Sequence, residues 1–138
     1  MSEHDNQAVV KRGYEAFGRG DIEALLALLD ENVEWVTPGP SDLPTAGRRR
    51  GHQQVAEFFR VVNSVFEVQR FEPEVFVSEG DRVVVLGSET SRVKQTGKVL
   101  DMRWAHAFTV RNGKVAAFEE YLDMSVVVAD LRQVQSRT

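Results

Sequence analysis

The chain has 138 residues, 42% apolar and 28% charged, which suits one domain with a proper core and excludes disordered and fibrous classes. A formal charge of −4, from 17 basic and 21 acidic side chains, argues against a dedicated nucleic-acid binder and offers nothing to an anionic membrane. With no cysteine, disulfides, thiolate metal sites and cysteine nucleophiles are excluded.

The opening Met1-Ser-Glu-His-Asp-Asn is acidic and lacks the apolar run of a secretion signal. No apolar stretch approaches a membrane span. The reading is one cytoplasmic domain over residues 1–138.

The first half reads as helix. Val10, Tyr14 and Phe17 make an apolar stripe that ends at Gly18-Arg19-Gly20. Asp21 sits where an N-cap belongs, ahead of Ile22, Leu25, Leu26, Leu28 and Leu29. Asp30-Glu31-Asn32 stops that helix, and Val33 to Thr37 reads as a short strand. Three prolines and two glycines between Pro38 and Gly47 predict an irregular loop. Arg48-Arg49-Arg50-Gly51 then leads into a third helix with Val55, Phe58, Phe59, Val62, Val65 and Phe66 at helical spacing.

The second half reads as sheet. Phe71–Val77, Arg82–Val93, Val99–Val110 and Val115–Leu122 are separated by Glu79-Gly80-Asp81, Thr96-Gly97 and Asn112-Gly113. The last is a two-residue hairpin signal. Ser125 to Val134 fits either a closing strand or a short helix. Segregated helices followed by long meandering strands define an α+β layer protein.

Strand alternation selects the side chains that share a face. Met102, Trp104, His106, Phe108 and Val110 fall on one side, an aromatic set suited to a cavity wall, with Arg103 and Ala105 on the other. If the Asn112-Gly113 hairpin pairs in register, Phe118, Glu120 and Leu122 join that face. His106 and Glu120 then come within side-chain reach. A carboxylate beside an imidazole in an apolar pocket is a workable acid/base pair near neutral pH. The alternative is a solvated Glu120 at the rim with His106 merely packing.

Glu89 shares a strand face with Val85, Gly87, Ser91 and Val93, and either joins the pocket or lies outside as a surface acid. Trp35 and Thr37 share a face on the first strand, and Trp35 packs or lines a ligand cavity. Tyr14 can offer a phenol to a ligand, although such a residue more often packs with its hydroxyl outward. His52 at a helix start reads as exposed. The run Arg48 to Arg50 reads as a solvated or dimer-contact segment, and Asp101 with Arg103 as an exterior ion pair. His4, His52 and His106 are scattered without metal-ligand spacing, and no phosphate loop is present.

Four stretches carry a resemblance. They are Tyr14-Glu-Ala-Phe-Gly-Arg-Gly-Asp21, Leu28-Leu-Asp-Glu-Asn-Val-Glu-Trp35, Gly51-His-Gln-Gln-Val-Ala-Glu-Phe-Phe59, and Arg111-Asn-Gly-Lys-Val115 with Glu120-Tyr-Leu-Asp123. In this order and spacing, over roughly residues 7 to 130, the chain resembles the NTF2-like superfamily and its SnoaL-like branch of polyketide cyclases and ketosteroid-isomerase relatives. The resemblance implies a cone: a curved, mixed sheet wraps three helices around a deep apolar cavity, often in homodimers joined through the sheet's other face. It also implies an acid/base on the last strand, matched by Glu120 in place of the usual aspartate, and a histidine on the strand before, matched by His106.

Two other chemistries of the superfamily lack their residues. The positions of the ketosteroid-isomerase tyrosine and aspartates fall on Gly13, Thr37 and at or beside His106. The Arg-x-Asp of limonene epoxide hydrolases falls on Glu89 and Ser91. Two functions therefore stand. One is a cofactor-free enzyme moving a proton on a small apolar carbonyl or polyketide-like ligand, with Glu120 and His106 catalytic. Trp35, Thr37, Glu89, Met102, Trp104, Phe108, Phe118 and Tyr14 would bind the ligand. The other is a non-catalytic ligand-binding or accessory homodimer.

Overall fold

The computed structural model describes residues 2–137. Its elements are α1 (Glu3–Gly18), α2 (Ile22–Ala27), β1 (Leu29–Thr37), β2 (Gly47–Arg50), α3 (Gly51–Val65), β3 (Phe66–Glu79), β4 (Arg82–Val93), β5 (Val99–Arg111), β6 (Lys114–Leu122) and α4 (Ser125–Arg137). The strands form one sheet in the order β2-β1-β6-β5-β4-β3. β1 runs parallel to β6, and the other neighbouring pairs are antiparallel. Register shifts in β1, β3 and the β5–β6 pair let the long strands bend and curve the sheet over its inner face.

Local chemistry sets the helix ends. Ser2 and Asp5 cap α1 reciprocally, each side chain accepting from the other's backbone N–H. Gly20, at φ 71°, turns the chain, and the Asp21 carboxylate accepts from the Ala24 N–H at 3.0 Å. Pro73 is tolerated because β3 is an edge strand.

Several boundaries differ from the sequence reading, each through a partner distant in sequence. β1 begins at Leu29 instead of Val33, because β6 runs alongside and the Val115 N–H donates to the Leu28 carbonyl at 2.9 Å. Residues 47–50 are a strand, since Arg48, Arg49 and Arg50 pair with Val36, Trp35 and Glu34. Its arginines mark a charged sheet edge. Phe66 leaves the helix in extended geometry and opens β3 opposite Val93, five residues ahead of the expected Phe71. The segment after Asp123 is a helix; Val127 and Leu131 bury against Leu43, Val93 and Leu100. The Asp101 carboxylate takes the Thr90 hydroxyl at 2.6 Å, and the expected pair with Arg103 does not form.

The main core lies between α1, α3 and the concave face of the sheet. Val9 and Val10 meet Val33, Trp35, Val55, Phe58, Val83, Val85, Trp104, Phe108, Val115 and Phe118 there. Among the described residues no helix is long and apolar enough to cross a membrane.

Candidate active site

The β5–β6 hairpin builds the site. Asn112 and Gly113 both take positive φ, 53° and 75°, giving the mirror-image turn whose twist suits adjacent antiparallel strands. That turn places Phe108 opposite Phe118 and His106 opposite Glu120. All four side chains point to the concave face.

His106 Nε2 lies 2.9 Å from Glu120 Oε2, and the Tyr14 hydroxyl lies 2.8 Å from His106 Nδ1. The histidine side chain is 5% exposed and that of Glu120 18% exposed, so the chain of bonds runs from the interior to the cavity. With the Tyr14 hydroxyl donating to Nδ1, Nε2 is the ring nitrogen that carries the N–H and donates to Glu120 Oε2. Burial first, and the Glu120 charge second, push the Tyr14 phenol far above its ordinary value. The phenol therefore stays neutral and donates to Nδ1. The hydroxyl of Tyr14 is thus turned inward, against the commoner expectation for such a helix residue.

The imidazole is also held by packing. Trp104 stacks on it with ring centres 3.9 Å apart and planes 11° apart. Gly87 on β4 lies directly opposite Trp104. A Cβ on Gly87 would stand 2.4 Å from the indole and 2.5 Å from the Glu72 carbonyl oxygen, which is backbone and cannot swing away. Gly87→Ala is expected to displace Trp104 and to cost about 1–3 kcal/mol, read as a lower urea midpoint with broadened His106 ring signals. A variant with wild-type stability and ring signals would show that the indole is not held there.

A cavity of about 150 Å³ opens beside this network. Tyr14, Trp35, Thr37, Glu89, Met102, His106, Phe108, Phe118 and Glu120 line it, together with Phe17, Phe58, Phe59, Phe71 and Ser91. Trp104 is a correction: it stands behind His106 and is not part of the wall, because its indole fills the space over Gly87. Trp35 stacks on Phe118 at 4.0 Å across the parallel β1–β6 pair. The indole N–H groups of Trp35 and Trp104 are buried with no acceptor among the described residues. Thr37 faces the cavity with its hydroxyl already donated to the Thr45 carbonyl.

Glu89 is the second carboxyl in the cavity. It sits opposite Phe71 on one side and Met102 on the other, with its Oε2 accepting the Ser91 hydroxyl at 2.8 Å. Burial raises its pKa to about 7; the Ser91 bond opposes the rise, the Glu120 charge adds to it, and Arg70 opposes it. Among the described residues no group of three or more histidine and carboxylate side chains is placed to hold a metal ion.

Outside the cavity, His52 is half-buried with Nε2 2.8 Å from the Leu29 carbonyl, not exposed as expected. Arg49 lies over the Phe58 ring and donates to Thr37 and to the Pro44 carbonyl, so this member of the basic run braces the β1–β2 corner. The aromatic wall from Phe17, Phe58, Phe59 and Phe71 was missed from sequence. Helical spacing marked the first three as apolar, but only docking onto the sheet makes them line a void.

The arrangement defines a mixed α+β protein whose curved sheet encloses an aromatic cavity with a phenol–imidazole–carboxylate chain at one wall. The chain belongs to the SnoaL-like domain family, whose model matches residues 10–118. Solved structures agree. An NTF2-like protein from Burkholderia xenovorans LB400 is 39% identical with a TM-score of 0.85, covering 94% of this chain and 97% of that one. An NTF2-like protein from Burkholderia pseudomallei K96243 is 32% identical, also at 0.85, with the same coverage of 94% and 97%. TerC, co-crystallised with polyporic acid, is 30% identical at 0.83 and covers 91% of this chain and 96% of its own. No curated protein sequence matches the chain.

Proposed function

We propose that this protein is a cofactor-free enzyme that moves a proton beside a carbonyl of a small apolar or polyketide-like ligand, in a cyclisation or isomerisation. The observation that carries the reading is the 2.9 Å bond between His106 and Glu120 at the wall of an aromatic cavity. Glu120 is the acid/base: a C–H bond next to the carbonyl breaks, its proton goes to the carboxylate, and the electron pair moves onto the carbonyl oxygen. The proton then returns at another carbon or at oxygen. His106, anchored by Tyr14, aims the carboxylate through the bond from its Nε2–H. The apolar wall keeps bulk water from competing for the proton.

Family membership supports this class of chemistry, and TerC's co-crystal with polyporic acid supports a small organic ligand. The test uses acetophenone in D₂O, following deuterium entry into its methyl group by NMR. Exchange above the protein-free rate that disappears in Glu120→Gln is the expected result. No exchange with acetophenone or with larger aromatic ketones would overturn the reading in favour of a binding protein without chemistry.

The same reading pairs two copies through the convex face of the sheet. Val75, Val77, Val84, Leu86 and Tyr121 are exposed there on neighbouring strands, Val77 and Tyr121 by more than half. The wild type is expected to sediment as a dimer and Leu86→Glu as a monomer. A wild-type monomer at high micromolar concentration would refute the pairing.

A further inference from the structure

The middle of the inner face of α1 carries no side chain. At about 3.6 residues per turn, Gly13 falls between Val9 and Ala16 on one flank and Val10 and Phe17 on the other. Val9, Val10 and Ala16 are buried, and Phe17 packs against the same core. Gly13 lines the cavity together with Val9, Val10, Tyr14 and Phe17. A Cβ built on it would meet no heavy atom within 4 Å beyond its chain neighbours and the helix's own backbone. In an interior packed as densely as a protein core, such a place is a recess.

Neither usual reason for a glycine applies there. Gly13 has no positive φ, and no neighbour crowds it, unlike Gly87, whose Cβ would strike Trp104. A glycine inside a helix nevertheless carries the largest backbone entropy cost of any residue, and alanine would fit. The recess is apolar: Val9, Val10 and Phe17 have no polar side-chain atom, and the N–H and C=O of Gly13 lie within the hydrogen-bonded ladder of α1. It also stands at a set distance from the acid/base pair. Tyr14, rooted beside Gly13, brings its hydroxyl to 2.8 Å from His106 Nδ1, and His106 in turn bonds Glu120. The span from α1 to His106 is therefore that of one ring substituted at both para positions.

We propose that the recess at Gly13 is an apolar subsite for a branched alkyl group on the ring of the ligand, para to the carbonyl group that faces Glu120. Gly13 is then a specificity-determining residue, and it leaves to the ligand the space a side chain would fill. The cavity of about 150 Å³ holds one aromatic ring, and the recess decides which substituted rings bind tightest. Hydrocarbon is preferred there to any polar group, because the recess returns no hydrogen bond for the water the polar group would lose. The place of the carbonyl rests on the proton-transfer reading; the subsite itself is tested by binding alone.

Acetophenone and 4′-isopropylacetophenone serve as the probe pair, with Kd measured by NMR titration. The wild type is expected to bind the isopropyl ketone at least about tenfold more tightly, from the three extra carbons buried. Gly13→Val puts an isopropyl group of the protein where that of the ligand would lie. It is expected to abolish the preference while acetophenone affinity stays within about threefold. Gly13→Ala is expected to reduce the preference only in part and to melt about 3 °C above the wild type, since it removes the helix-interior glycine without a clash. It also serves as the test if the valine variant does not fold. A glycine with a merely structural role would change the melting temperature and leave the preference alone. The proposal is overturned if both folded variants keep the wild-type preference, if Gly13→Val loses both ketones equally, or if the wild type binds neither ketone or binds them alike. Absence of methyl exchange in the wild type, with the Gly13-dependent preference intact, would instead remove the proton-transfer reading and leave this inference standing.

Discussion

Glu120→Gln is expected to lower proton exchange by about two to four orders of magnitude while leaving the fold intact. The substitution keeps the shape of the side chain and an oxygen that accepts from His106 Nε2–H, but removes the basicity. Because the residue is 18% exposed and bonded across a 2.9 Å contact, it sits where ligand and network meet. His106→Ala is expected to act more mildly on rate, since Glu120 survives but loses its anchor. Tyr14→Phe is expected to be milder still, costing about 1 kcal/mol of stability for the lost hydrogen bond. It should also leave Nδ1 of His106 without its donor, visible as a changed ¹⁵N shift. Equal rates for wild type and Glu120→Gln would remove the carboxylate from the mechanism, whatever the other variants did.

Glu89→Gln is expected to stabilise the protein at pH 8. The folded carboxyl sits near 7 against an ordinary value of 4.5, chiefly because burial disfavours its charge. Between those values the folded state keeps a proton that the unfolded chain has released. Its stability is therefore full below about pH 4.5 and falls as pH rises through about 7. At 1.36 kcal/mol per pH unit, the gap amounts to about 3 kcal/mol at pH 8 and under about 1 kcal/mol at pH 5. Glutamine is neutral at both and still accepts from Ser91. Urea melts at pH 5 and pH 8 should show an advantage for the variant that grows with pH. A constant difference between the two proteins would mean that Glu89 is ionised throughout.

The two acids were legible in the sequence to different degrees. His106 and Glu120 could be paired from residue order alone, because the hairpin between them is a local structure: Asn112 and Gly113 dictate the turn, and the turn dictates the register. Strand alternation likewise placed Met102, Phe108 and Phe118 on the inner face. Glu89 could not be assigned a side this way. Its face depends on which side of β4 the helices cover, and that follows from packing between elements far apart in the chain.

Composition, the helical stripes, the Gly20-Asp21 stop and cap, and the Asn112-Gly113 hairpin were sufficient by themselves for the α+β class and for the pairing of His106 with Glu120. All are properties of neighbouring residues, whose torsional preferences and side-chain period act within a few positions. The parallel β1–β6 pairing decided that residues 29–32 extend instead of stopping a helix. The β1 edge decided that three arginines form a strand, and α4 could choose helix only with Leu43, Val93 and Leu100 to cover its apolar face. Trp104 behind His106, in place of lining the wall, likewise follows from the missing Cβ of Gly87 on the neighbouring strand. These outcomes turn on steric room and backbone partners that exist only once distant segments meet, and no local preference carries that information.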